Sequence, residues 1–240
     1  MTTRPLARRN PVAKLVAALV LSLPLLATLD PLTPTLYLAV ELAAVPLFGL
    51  RAGTLARRGW PLLLSAAGVG VAQHFFGTGG PATSVGLSLR VLAVSLPGIL
   101  VFASTDPTDL ADALVQNARL PARFAIGALA AFRLVPLLGE EWRLLALARR
   151  ARGVDAGRNP LAHLRRLASL TFGLLVGAIR RGTRLATAMD ARGFDSGTPR
   201  TFARRQRFGA ADVALVAGTV VIAGVALATT VALGAFQPAF

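Results

Sequence analysis

Two short segments of this 240-residue chain repeat each other and carry the same arginine. Residues 146–157 read A-L-A-R-R-A-R-G-V-D-A-G, and residues 186–197, forty positions later, read A-T-A-M-D-A-R-G-F-D-S-G. Seven of the twelve positions are identical, and Leu145 and Leu185 extend the match upstream. Alanine-rich stretches favour helix. Gly153 and Gly193 suit a helix C-terminus that needs a positive φ. Arg152 and Arg192 then fall in the last turn, where the helix dipole favours a cation. A guanidinium there can project past the helix end and form a bidentate pair with a carboxylate. The chemistry is recognition. One such cap alone would be an ordinary helix end. Two copies, Ala151-Arg152-Gly153 and Ala191-Arg192-Gly193, with Asp155 and Asp195 in support, point to a paired docking site that a twofold-like partner would match.

Other chemistries find less footing. Cysteine is absent, which removes thiolate catalysis and Cys-based metal sites. His74 and His163 lie far apart with no ligand-like cluster around them, so neither a metal nor a cofactor is expected. No G-x-x-x-x-G-K-[ST] stretch occurs, and Lys14, the sole lysine, is in the wrong context for a phosphate loop. Asp106, Asp109 and Asp112 are spaced i, i+3, i+6 and could align on one helical face. That spacing keeps a second hypothesis open, a membrane-bound enzyme acting on a lipid or isoprenoid substrate; capping or a solvated face explains each aspartate equally well.

The elements that must position the arginines are set by composition. Hydrophobic residues make up 54% of the chain and charged residues 15%, a balance that suits lipid as solvent. A net charge of +15 would fit nucleic acid or an anionic lipid surface if the basic residues shared a polar face. Here they lie between long apolar runs, so no nucleic-acid partner is expected. Five runs approach the roughly 20 apolar residues of a membrane span: 12–29, 32–50, 60–76, 85–104 and 209–235. Two more, 124–139 with Arg133 and Pro136 inside it and 167–179, are short and read as interfacial, buried or re-entrant helix. The basic run 4–14 resembles the start of a signal peptide, but no A-x-A-type site follows, so 12–29 is expected to be a retained span.

Nearly all arginines then fall in segments 1–11, 51–59 and 105–208, on one side of the membrane. The positive-inside rule makes that side cytoplasmic, with the N-terminus inside and the C-terminus outside. The expected organisation is an all-α membrane protein. It has a four-span part over 1–104, a cytoplasmic region of amphipathic helices over 105–207, and a final span with a short tail over 208–240. Glu41 sits within the second span, where it could meet a ligand or partner helix, pair with Arg90, or be protonated. Thr108 or Asp109 is expected to cap a short amphipathic helix through 110–115, broken at Leu120-Pro121.

These motifs resemble a known family. The paired Ala-Arg-Gly motifs, the Thr105-Asp106-Pro107-Thr108-Asp109-Leu110 run and the stretch from Pro121 to Phe124 are similar to the transmembrane T component of energy-coupling factor transporters, also described as the CbiQ-type cobalt-transport permease family. The resemblance implies a non-catalytic subunit in the bacterial or archaeal inner membrane. It implies two ATPase subunits as partners, a homo- or heterodimer, and a separate substrate-binding S component that captures a vitamin or a transition-metal ion. It further implies that Arg152 docks on one ATPase and Arg192 on the other.

Overall fold

The computed structural model describes residues 6, 9–28, 30–50, 52–77, 80–153, 159–194 and 201–235. Among them eight α-helices follow in order: α1 (Pro11–Leu26), α2 (Leu32–Ala44), α3 (Ala52–Phe76), α4 (Pro81–Ser104), α5 (Pro107–Asn117), α6 (Ala122–Ala151), α7 (Pro160–Ala191) and α8 (Ala210–Ala232). A 3-10 turn, Val45–Phe48, extends α2. The fold is all-α, as the sequence led us to expect.

Three helices start where the sequence places Asn or Asp before Pro. Asn10 accepts from the Val12 N–H at 2.9 Å, Asp106 from Thr108 at 2.7 Å and Asn159 from Leu161 at 3.0 Å. The proline that follows each cap occupies the first helical position, where its missing N–H would have had no partner. The cap of α5 is thus Asp106, which corrects the expectation of Thr108 or Asp109. Pro107 fixes the φ of the first helical residue and leaves the preceding aspartate as the cap.

The chain divides into two compact units, Met1–Leu120 with Arg205–Phe240, and Pro121–Arg204. In the first, α3 packs on α4, α1 packs on α4 and α8, α2 on α4 and α8, and α5 on α1. Leu25, Tyr37, Ala93, Ala223 and Ala226 form the core of this bundle. The alanines let helix backbones approach closely, which is how helices associate when lipid tails are as apolar as leucine. Polar ties fix the register: Tyr37 OH donates to the Ala223 carbonyl at 3.3 Å, and Thr33 Oγ1 meets Thr230 Oγ1 at 2.9 Å. Outward, the unit bares Leu19, Leu23, Leu63, Leu64, Phe75, Phe76, Val220 and Val221. An apolar surface of that extent calls for a bilayer.

One end of the unit is polar instead. There the starts of α1, α5 and α8 converge with the end of α4. Asp212 accepts from the Gly209 N–H through one oxygen and from the Asn10 N–H through the other, each at 2.9 Å. Lys14 Nζ donates to the Ser104 carbonyl at 3.2 Å, and the Gln206 N–H donates to the Gln116 side chain at 2.9 Å. The Leu6 N–H reaches the Leu47 carbonyl at 3.3 Å, which brings the end of α2 to the same side. Within this unit, the residues around 10, 105 and 206, which the charge pattern grouped on one face of the membrane, therefore share one end of the bundle.

Span lengths depart from expectation. Among the described residues α4, α6 and α8 are long and apolar enough to cross a membrane. The run 12–29 yields a helix of only 16 residues, and 32–50 yields 13 before tightening into the 3-10 turn at Pro46. Conversely, 124–139 is part of one continuous 30-residue helix. Pro136 removes a single backbone donor, and the Leu- and Ala-rich turns on both sides carry the helix through, a tolerance usual in membrane-type helices. The run 167–179 likewise lies inside the 32-residue α7.

Asp212→Ala removes two charge-assisted hydrogen bonds at a buried site and is expected to destabilise the bundle by about 2–4 kcal/mol. Asn10→Ala, which loses one cap, should cost about 1 kcal/mol. Thermal unfolding of the detergent-solubilised chain, followed by Trp60 and Trp142 fluorescence, checks the order. Equal losses would deny Asp212 its bridging role.

Candidate functional site

Both arginine tips obey the same local rule. Helix α6 ends at Ala151 and α7 at Ala191. Arg152 (φ −86°, ψ 9°) and Arg192 (φ −89°, ψ 8°) share a backbone conformation, and Gly153 and Gly193 follow at φ +73° and +68°. A side chain in that left-handed region would be strained, which is why glycine stands there. The Gly153 N–H donates to the Arg150 carbonyl and the Gly193 N–H to Asp190, both at 2.9 Å. At α7 the Phe194 N–H also reaches the Met189 carbonyl at 3.1 Å and completes a Schellman cap. Asp155 and Asp195 lie outside the described residues. Ala151, Arg152, Gly153, Ala191, Arg192 and Gly193 are all exposed. Neither guanidinium has a hydrogen bond or ion pair among the described residues.

Within their unit, α6 and α7 run antiparallel. Arg149 Nη2 donates to the Ser169 hydroxyl at 3.0 Å, and Glu141 pairs with Arg181. Towards the start of α6 and the end of α7 a groove of about 440 Å³ opens between Gly127, Ala130, Ala131 and Leu134 on one side and Leu185 and Met189 on the other. Because the helices are antiparallel, their C-terminal tips point to opposite ends of the pair.

The Glu141–Arg181 contact places the two tips symmetrically. Its partners are forty residues apart, the offset of the repeat itself, so equivalent positions of the two copies meet there. The relation is an approximate twofold whose axis passes by this ion pair. Arg152 lies eleven residues beyond Glu141, and Arg192 eleven beyond Arg181. At 1.5 Å per residue each tip is about 16 Å from the meeting point, and the two are roughly 30 Å apart. Sequence reasoning missed this pair. Its signal was an acid and a base at the repeat offset.

Alike in backbone, the tips differ in charge. Arg149 and Arg150 precede the first, whereas Met189 and Asp190 precede the second.

The remaining candidates do not converge. Asp106 is engaged as a helix cap, Asp109 lies 3.5 Å from Gln206 Nε2, and His74 stands edge-on to Phe75. Among the described residues no group of three or more His, Asp or Glu side chains is placed to hold a metal. Arg90 does not pair with Glu41; its Nη2 donates to the Leu26 carbonyl at 2.5 Å. Glu41 is buried, and among the described residues neither carboxylate oxygen has a hydrogen-bond partner.

Comparison with known proteins bears on the family directly. Residues 2–202 match the CbiQ family, described as cobalt transport protein. A protein of Bacillus selenitireducens named energy-coupling factor transporter transmembrane protein EcfT is 31% identical, over 92% of this chain and 91% of its own. An Exiguobacterium sibiricum protein of the same name is 33% identical over 54% of this chain and 52% of its own. This chain thus spans about half the length of some of the curated relatives it matches. A Bifidobacterium longum protein named for ABC-transporter ATP binding is 27% identical over 82% of this chain but only 25% of its own. A match across residues 2–202, together with a relative aligned almost end to end, makes this chain a member of the CbiQ family of membrane transport proteins.

Proposed function

We propose that this chain is the transmembrane coupling subunit of an ATP-driven uptake transporter of the energy-coupling factor type, serving a vitamin or a transition-metal ion. The observation that carries this reading is the pair of exposed arginine tips, unengaged among the described residues, matched in backbone and equidistant from the Glu141–Arg181 contact. Two ATPase subunits related by a twofold axis would present two equivalent docking positions, and two equivalent guanidinium tips complement a carboxylate at each. The alignment of this chain with a quarter of a protein named for ATP binding supports an ATPase as the partner.

In this role ATP hydrolysis belongs to the partners. Arg152 and Arg192 each form a bidentate pair with a carboxylate of one ATPase subunit, while Gly153 and Gly193 fix the angle at which the guanidinium leaves its helix. Closure of the ATPase pair moves the two tips relative to each other. Helices of 30 and 32 residues transmit that displacement as levers about their contact at Glu141–Arg181. The motion passes to a membrane-embedded S component that holds the substrate. The basic end of the first unit faces the cytoplasm of a bacterial or archaeal cell, with the N-terminus inside and the C-terminus outside.

Three measurements test this reading. Arg152→Glu with Arg192→Glu should abolish co-purification of two ATPase chains and ATP-dependent uptake while leaving membrane insertion intact. Each single reversal should weaken the complex by about 30-fold or more. Normal ATPase recovery and uptake in the double variant would reject the proposal. Second, Gly153→Ala and Gly193→Ala should each cost about 1 kcal/mol at the cap and re-aim the arginine. Faster amide exchange confined to the last turn, with reduced ATPase affinity, is the expected signature. Third, the chain lacks cysteine, so Phe208→Cys and Gly80→Cys can be labelled singly in intact cells. An impermeant reagent should reach the second and not the first.

A further inference from the structure

The bundle holds a cavity that the coupling role does not use. It measures about 370 Å³ and lies among α1, α2, α4 and α8. Ala17, Leu100 and Val101 form its buried back wall, and Val40, Ala43 and Leu47 with Ala214 and Gly218 are the exposed lining residues. The exposed set belongs to the α2 side and to α8, so the mouth opens sideways between them, towards lipid. The lining is apolar almost throughout.

One side chain in it is unlike the rest. Glu41 is 2% exposed, lines the cavity, and has no hydrogen-bond partner on either oxygen among the described residues. The ammonium nearest at hand, Lys14, also lines the cavity, but its Nζ is turned to the Ser104 carbonyl at 3.2 Å and the Thr105 hydroxyl at 3.4 Å. A carboxylate in such surroundings is costly unless a cation meets it. A metal ion needs several oxygen ligands, which the apolar lining does not provide. An ammonium group on an apolar chain needs only one carboxylate and a greasy wall.

We propose that this cavity binds a membrane-partitioned primary amine. The alkyl chain enters from the bilayer between α2 and α8, and the ammonium pairs with Glu41. Among the described residues a phosphate finds no free donor in the lining, because Lys14 is engaged at Ser104 and Thr105. The site therefore selects for the amine and not for an anionic headgroup. This inference stands apart from the docking role of Arg152 and Arg192 and survives or fails without it.

The test uses the full chain in phosphatidylcholine nanodiscs and two photoreactive probes of equal length, a diazirine-bearing alkylamine and the corresponding alcohol. Peptide mapping should find the amine attached to residues around Leu21, Val40 and Ile222 in preference to the alcohol, on the order of tenfold. Glu41→Gln should erase that preference. Gly218→Leu should also reduce labelling at these residues while Glu41 remains, since a Cβ at this lining position meets nothing within 4 Å and its side chain obstructs the mouth. Equal labelling by amine and alcohol in the unmodified chain overturns the proposal, as does a preference that persists in Glu41→Gln. If Glu41→Gln does not fold, undiminished labelling of Gly218→Leu overturns it instead. Repeating the measurement with phosphatidylethanolamine in the nanodisc identifies the source of the amine. Protection points to a lipid headgroup, and its absence to a free amine.

Discussion

A single carboxylate fastens α1 and α8 into one bundle. Asp212 satisfies the Gly209 N–H at the start of α8 and the Asn10 N–H at the start of α1, 202 residues away. Helix starts leave backbone donors without partners, and in a low-dielectric setting those donors must be met. Because one side chain meets donors of both helices, α1 and α8 begin at the same depth. The register of Thr33 with Thr230 and of Tyr37 with Ala223 follows from that common level. The start of α5 lies at the same end, since Lys14 holds the end of α4 at Ser104.

The same requirement, applied at helix ends, shapes the second unit. The last carbonyls of α6 and α7 are met by amides of a left-handed glycine turn, so each helix stops abruptly and leaves the preceding arginine in the open. A helix that frayed over a turn would spread its last side chains over many orientations. The glycine caps hold them to one. Local backbone chemistry thereby becomes a geometric property of the unit: two guanidinium groups at a defined separation, set by eleven residues of helix on either side of Glu141–Arg181.

Much of this was legible in the sequence. Repetition of Ala-Arg-Gly with its flanks located both tips, because glycine after an alanine-rich helix has few other uses. Apolar runs and the one-sided arginines gave the membrane setting and grouped the segments that share the polar end. Helix lengths were less legible. The run 124–139 looked broken because Arg133 and Pro136 interrupt its hydropathy, yet backbone hydrogen bonding tolerates one missing donor. The run 12–29 looked long because hydropathy continues past the point where Ala27 closes the helix on the Pro24 carbonyl. Long-range pairs such as Asn10 with Asp212 leave no trace in local pattern. Glu141 with Arg181 left one, since the two share the offset of the repeat.

The approximate twofold stops at the backbone. Arg149, Arg150 and Arg152 crowd the first tip, whereas Arg192 shares the second with Asp190. A carboxylate partner would be attracted more strongly and over a longer range by the first tip, and salt would weaken that attraction more. Asp190 also sits at the negative end of the α7 dipole, an unfavourable place for a carboxylate. In the proposed role the two tips therefore offer contacts equal in backbone geometry but unequal in charge.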